Sequence, residues 1–204
     1  MKDWIASGAS PMTDKNCKDT VWLTPSWLVE IASRIVGGID LDPATEPSNP
    51  TGARRFFTEA DNGLERSWKC QAGGIFVNPP YGRAIKSWVQ KIGAEARCQD
   101  TPMVALLPGQ RFEQHYWMRS LFQADMLLVA LRSRICFEKP DGSKLKGNPF
   151  GSFLYCYNVS FQCVTAAVGE AGMVLQVGAL RVPDEKWRQP RKPRVNREPE
   201  VYPI

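Results

Sequence analysis

The sequence predicts an α/β fold: a mostly parallel sheet flanked by helices and closed by an antiparallel C-terminal hairpin. Three observations carry this prediction. Short β-branched and aromatic runs alternate with stretches of helical period through most of the chain. The run from Pro102 to Pro108 is continuously apolar and bounded by prolines, as in a strand buried on both faces. Two strand-like segments, Ser152 to Cys163 and Met173 to Val182, are joined by a short connection containing Gly169 and Gly172, which predicts the hairpin.

Taken in order, residues 1–18 are polar and read as a flexible leader, residues 19–182 as one folded domain, and residues 183–204 as a basic, proline-rich tail. Thr24 is a good N-cap with Pro25 at the first helical position, and Leu28, Ile31, Ala32 and Ile35 then share a helical face up to Gly37-Gly38. Ile39 to Ala44 reads as a short strand ending in Asp42-Pro43. Ala53 to Phe57 reads as another. Asp61-Asn62-Gly63 is a turn leading to Trp68. Ile75 to Val77 is a buried strand that must stop at Asn78-Pro79-Pro80-Tyr81, because two prolines cannot continue a central ladder. Ile85, Trp88, Val89 and Ile92 define the next helix, with Lys86 and Lys91 turned outward. Residues 112–123 read as helical, and Asp125 to Leu131 as a further buried strand. A long loop from Glu138 to Phe150, with three lysines, precedes the hairpin.

Composition narrows the chemistry. With 204 residues, 43% of them hydrophobic, the chain suits a single globular domain. Nothing approaches the roughly 18 apolar residues of a membrane span, and residues 1–18 hold no apolar run of the signal-peptide kind, so a cytoplasmic protein is expected. Six cysteines with no Cys-x-x-Cys pair read as reduced, mostly packed thiols. A single histidine, His115, argues against His-based metal or triad chemistry, and no metal is expected. The formal charge is +5, and from Lys186 to Arg197 basic residues recur without an intervening acid. Such an excess suits a polyanion.

Ligands of open α/β sheets bind at the carboxyl ends of the strands. Asn78 offers an amide acceptor there, Pro79 and Pro80 stiffen the backbone and leave carbonyls without ladder partners, and Tyr81 supplies a flat aromatic face. Together they suit a planar group with an exocyclic amine. Asp42 suits ribose hydroxyls or an amino group, or else simply opens an Asx turn at Pro43. No Gly-x-Gly-x-x-Gly is present, so a dinucleotide cradle is not expected.

From about Trp22 to Phe153 the chain resembles the adenine-N6 DNA methyltransferases, in particular the small Dam-like family of bacteriophages and prophages. The likeness rests on Trp22-Leu23-Thr24-Pro25, Asp40-Leu41-Asp42-Pro43-Ala44, Asp61-Asn62-Gly63-Leu64 with Trp68, and above all Asn78-Pro79-Pro80-Tyr81. Leu106-Leu107-Pro108 and Arg134-Ile135-Cys136-Phe137 agree more weakly. The resemblance implies a Rossmann-like class I fold, S-adenosylmethionine as cofactor and double-stranded DNA as partner. It implies that Asn78, Pro79, Pro80 and Tyr81 form the catalytic stretch around an adenine rotated out of the duplex. Thr24 and Pro25 would then hold the methionine end of the cofactor, Asp42 with Asp40 and Pro43 its amino group or ribose, and Asp61 its adenosine end. Lys86, Arg111, Lys144, Lys146 and the tail would meet phosphates, and the loop from Glu138 to Phe150 would read the target. One departure stands out: Asp-Pro-Ala-Thr-Glu-Pro replaces the glycine-rich loop that many class I enzymes carry after the first strand. The same tetrapeptide also occurs in methyltransferases of RNA bases and of protein glutamine amides, and a catalytically inactive DNA-binding module of this fold is a third reading.

Overall fold

The computed structural model describes residues 22–123, 125–139, 141–144 and 150–178. The leader, the basic tail and Lys146 lie outside the described residues. Among the described residues four helices, α1 (Ser26–Val36), α2 (Ile85–Cys98), α3 (His115–Leu121) and α4 (Phe161–Val168), flank one sheet. Its seven strands are β1 (Ile39–Asp42), β2 (Arg55–Phe56), β3 (Gly74–Val77), β4 (Met103–Pro108), β5 (Leu127–Leu131), β6 (Ser152–Tyr157) and β7 (Gly172–Gln176), in the order β2-β1-β3-β4-β6-β5-β7.

The first four strands are mutually parallel, β6 runs against both β4 and β5, and β7 runs against β5. The predicted α/β class holds, with an antiparallel C-terminal part. The pairing of that part differs from the expected hairpin, since β6 and β7 never touch as neighbours. The cause is α4. Ser160 accepts a hydrogen bond from the Cys163 amide as N-cap, and Val164 and Val168, four residues apart, bury one face. That helix turns a supposed continuation of β6 into a crossover, which frees β7 to reach β5.

Period-two alternation distributes the strand side chains between two cores. Phe76, Val104, Leu106, Leu127, Val129, Leu154 and Cys156 face α1 and α4. Ile75, Val77, Met103, Ala105, Leu107, Leu128 and Tyr155 face α2 and α3. Every residue of β3 and β4 is buried, and each large side chain so enclosed contributes about 1.5–3 kcal/mol. The cysteines depart from expectation: of the five described, Cys156 is buried and Cys70 half-buried, while Cys98, Cys136 and Cys163 are exposed. All five are free thiols.

One topological fact positions the site. From β1 the chain moves outward to β2, whereas from β3 it moves through α2 in the opposite direction to β4. The connections diverge between β1 and β3, opening a crevice above their carboxyl ends. Asp42 ends one of those strands, and Asn78 follows the other.

Candidate active site

At the end of β3, Pro79 and Pro80 lack the N–H needed to extend the ladder, so Asn78 leaves the sheet half-buried. Its Nδ2 donates to the Thr24 hydroxyl across 3.0 Å. Thr24 is 8% exposed. It was expected to cap α1, yet the cap residue is Pro25, and no side chain caps that helix. The Thr24 hydroxyl is directed to Asn78 instead. Among the described residues neither Asn78 Oδ1 nor the Pro79 carbonyl takes a protein donor. Pro79 is buried and Pro80 exposed. Tyr81 donates its hydroxyl to the Leu106 carbonyl of β4 at 3.2 Å, and burial pushes its phenol far above the usual range, so it stays neutral. The bond ties down the far end of the ring.

At the end of β1, Asp42 is 2% exposed. Oδ1 accepts the Ala44 amide at 3.1 Å, an Asx turn over Pro43, and Oδ2 accepts the Thr51 hydroxyl at 2.9 Å. Burial raises this carboxyl to about 6 in spite of those donors. Asp40 is committed elsewhere. It takes the Gln71 amide at 3.0 Å and pairs with Arg54 at 3.4 Å, sewing together the segments that enter β3 and β2. The Gln71 amide, with help from Arg54, holds Asp40 below the usual carboxylate range although burial opposes this. Asp40, read with Asp42 as a cofactor contact, is buried and spends its carboxylate on Gln71 and Arg54.

A third segment closes on these two. Thr58 donates its amide and its hydroxyl to Asp61 Oδ2, at 2.9 and 2.8 Å, which lowers the Asp61 pKa and folds a one-turn 3-10 helix over Glu59–Asp61. Gly63 then lies flat on the Asp42-Pro43 turn: a Cβ there would sit 2.0 Å from the Pro43 carbonyl oxygen. The fully buried Trp68 donates its indole N–H to the Gly63 carbonyl at 2.8 Å and packs on Trp88. So the spacing from Asp61 to Trp68 is that of a loop folded onto the end of β1.

The family model for DNA N-6-adenine-methyltransferase (Dam) matches residues 10–198, nearly the whole chain. The chain belongs to the Dam family. No curated protein matches it.

The rim of this Dam-family site is built from distant parts of the chain. Leu23 and Glu138 exchange both main-chain hydrogen bonds, at 2.8 and 3.0 Å, and Glu138 also bridges to Lys144. Trp22 packs on Phe137, with ring centres 5.5 Å apart. The loop expected to read the target is thereby joined to the Thr24 segment. Exposed aromatics gather at this same edge of the sheet: Trp22, Phe112 and Phe150 on connections, and Trp27 in the first turn of α1. Lys86 is exposed in the first turn of α2 and stands 5.8 Å above the Tyr116 ring. Arg111 is half-buried just past β4, and Lys144 is exposed. The geometry also brings in Thr51, bonded to Asp42, and Leu23, bonded to Glu138, while Arg83 stands exposed on the segment leading into α2. Arg83 could have been found from its place two residues after Tyr81, whereas no spacing in the sequence marks Thr51 or Leu23.

Among the described residues there is no cluster of three or more His, Cys, Asp or Glu suited to a metal, and no helix long and apolar enough to cross a membrane. The donor set fits S-adenosylmethionine in one respect: Asp61 Oδ1, on the loop folded over the end of β1, takes no protein donor among the described residues, as a hydroxyl or ammonium partner requires, whereas both Asp42 oxygens are held by Ala44 and Thr51.

Proposed function

We propose that this chain methylates N6 of an adenine rotated out of double-stranded DNA, with S-adenosylmethionine as methyl donor. Family membership supports the methyltransferase class and the adenine substrate. The observation that carries the mechanism is the Asn78 amide, held by Thr24, with its oxygen and the carbonyl of the next residue, Pro79, both unpartnered among the described residues.

Two acceptors at the end of a stiff strand match the two N–H groups of an exocyclic amine. Accepting both bonds draws the nitrogen lone pair out of conjugation with the ring, which makes the amine the better nucleophile. Tyr81, its hydroxyl anchored on β4, presents a face for the base to stack on. S-adenosylmethionine supplies a methyl group activated by a sulfonium. Asp61 would hold its polar groups on the β1 side, against the wall that the Asp42-Pro43 turn builds, and Pro25 would border its methionine end. Positioning and electrostatics then do most of the catalytic work.

An adenine inside a duplex hides N6 in its base pair, so it must be extruded, at a cost of a few kcal/mol. The exposed aromatics Trp22, Trp27, Phe112 and Phe150 suit unstacked bases, and Arg83, Lys86, Arg111 and Lys144 suit phosphates. The test is incubation with methyl-labelled cofactor and, in separate reactions, duplex DNA, RNA and a protein extract. Label at N6 of adenine in DNA, lost in Asn78→Ala, is the expected result. Label confined to RNA or protein would overturn the DNA assignment.

A further inference from the structure

We infer that Thr24 is a positioning residue for methyl transfer: its hydroxyl anchors the Asn78 side chain at the end of β3. This inference rests on the reading of Asn78 as the acceptor of the target amine, and it gives Thr24 a role different from the cofactor contact expected for it.

An asparagine side chain turns about two single bonds, and an acceptor left free to turn holds an amine poorly in line for attack. A hydrogen bond to the amide from a fixed neighbour holds its plane in place. Thr24 makes the one side-chain bond found for Asn78 among the described residues, Nδ2 to Oγ1 at 3.0 Å. The two residues are 54 positions apart, so the contact is imposed by the fold and not by local chain geometry.

The hydroxyl is well placed to impose it. Thr24 is 8% exposed, so little water competes for the bond. Its backbone is pinned on both sides. Leu23 exchanges both main-chain bonds with Glu138, and the ring of the buried Pro25 fixes the next residue at φ −63°. Since Thr24 caps nothing, its hydroxyl has no helix-forming duty to explain its burial. The segment from Trp22 to Thr24 therefore acts as a strut that runs from the Glu138 loop to the amide that would hold the amine.

The test compares Thr24→Val, which keeps shape and removes the hydroxyl, with Thr24→Ser, which keeps the hydroxyl. In isotope-labelled protein without DNA or cofactor, the Asn78 side-chain amide protons are followed by nuclear magnetic resonance, assigned through Asn78→Ala. One of them should exchange at least about tenfold more slowly in the wild type and in Thr24→Ser than in Thr24→Val. Equal exchange in all three overturns the inference. With duplex DNA and labelled cofactor, Thr24→Val should lower kcat roughly tenfold and leave both KM values within about twofold, while Thr24→Ser restores kcat. A raised cofactor KM at unchanged kcat in Thr24→Val would make Thr24 a cofactor contact and overturn the positioning role. If the wild type labels RNA or protein in place of DNA, the DNA assignment falls, and the same split measured on that substrate decides the role of Thr24.

Discussion

Two neighbouring parallel strands end in the same chemical device, an Asx residue followed by proline, and use it in opposite ways. After β1, Asp42 turns its carboxylate back onto its own loop, where Ala44 and Thr51 occupy it in a nearly dry environment. After β3, Asn78 sends its amide nitrogen across the crevice to Thr24 and keeps its oxygen unpartnered among the described residues. One side chain shapes the wall, and the other is presented to a ligand. The difference lies in the second proline: Pro80 forbids the tight turn that Ala44 closes by donating its amide to Asp42.

The comparison can be broken most severely at Asn78. Replacing it with alanine should lower the methylation rate by about 100- to 1000-fold, the loss typical of one preorganised donor or acceptor, with the thermal melt nearly unchanged. A melt that collapses instead would show that Asn78, like Asp42, is chiefly a builder of structure.

At Asp42 the expected effect is on stability, and its sign follows from burial. The folded carboxyl titrates at about 6 against an ordinary 3.8, so its favourable contribution is present below pH 3.8 and is lost as pH rises through about 6. Asp42→Asn removes that loss. The stability of the variant relative to the wild type should therefore improve by about 2 kcal/mol between roughly pH 4 and pH 7, measured by denaturant unfolding. A constant difference across that window would mean that the wild-type carboxyl is not raised.

Tyr81 tests whether the β3 side faces a base. Tyr81→Ala should weaken binding of the unpaired target by about 1–3 kcal/mol. Tyr81→Phe, which forfeits only the bond to the Leu106 carbonyl, should cost about 1 kcal/mol. Equal losses in the two variants would place the importance of Tyr81 in its hydroxyl and not in its ring. The smallest effect belongs to Lys86, exposed in the first turn of α2. Lys86→Ala should reduce the slope of log affinity against log salt by about one and leave sequence preference intact. An unchanged slope would leave Lys86 as a partner of Tyr116 alone.

What the sequence revealed follows a physical division. The buried parallel strands and the strand end at Asn78 were legible, because proline and the apolar period act over a few residues. The bond from Asn78 to Thr24 and the pairing of Asp40 with Arg54 and Gln71 were not, since each joins residues 14 or more positions apart, and no local spacing encodes them. The segment 161–168 misled for a different reason. Its two turns bury only Val164 and Val168, and so short a helix carries almost the same signal as a strand of valine and threonine.

The placement of β6 bears on how the chain must be made. During synthesis β4 and β5 emerge well before the strand that separates them, so each carries a bare edge until residues 152–157 arrive. A nascent chain halted before that point would have an unfilled slot at the middle of its sheet, beside the strand whose Leu106 carbonyl anchors Tyr81. Premature termination there should yield an aggregating fragment and not a weakened enzyme, and nonsense changes between β5 and β6 should be tolerated no better than those before β4.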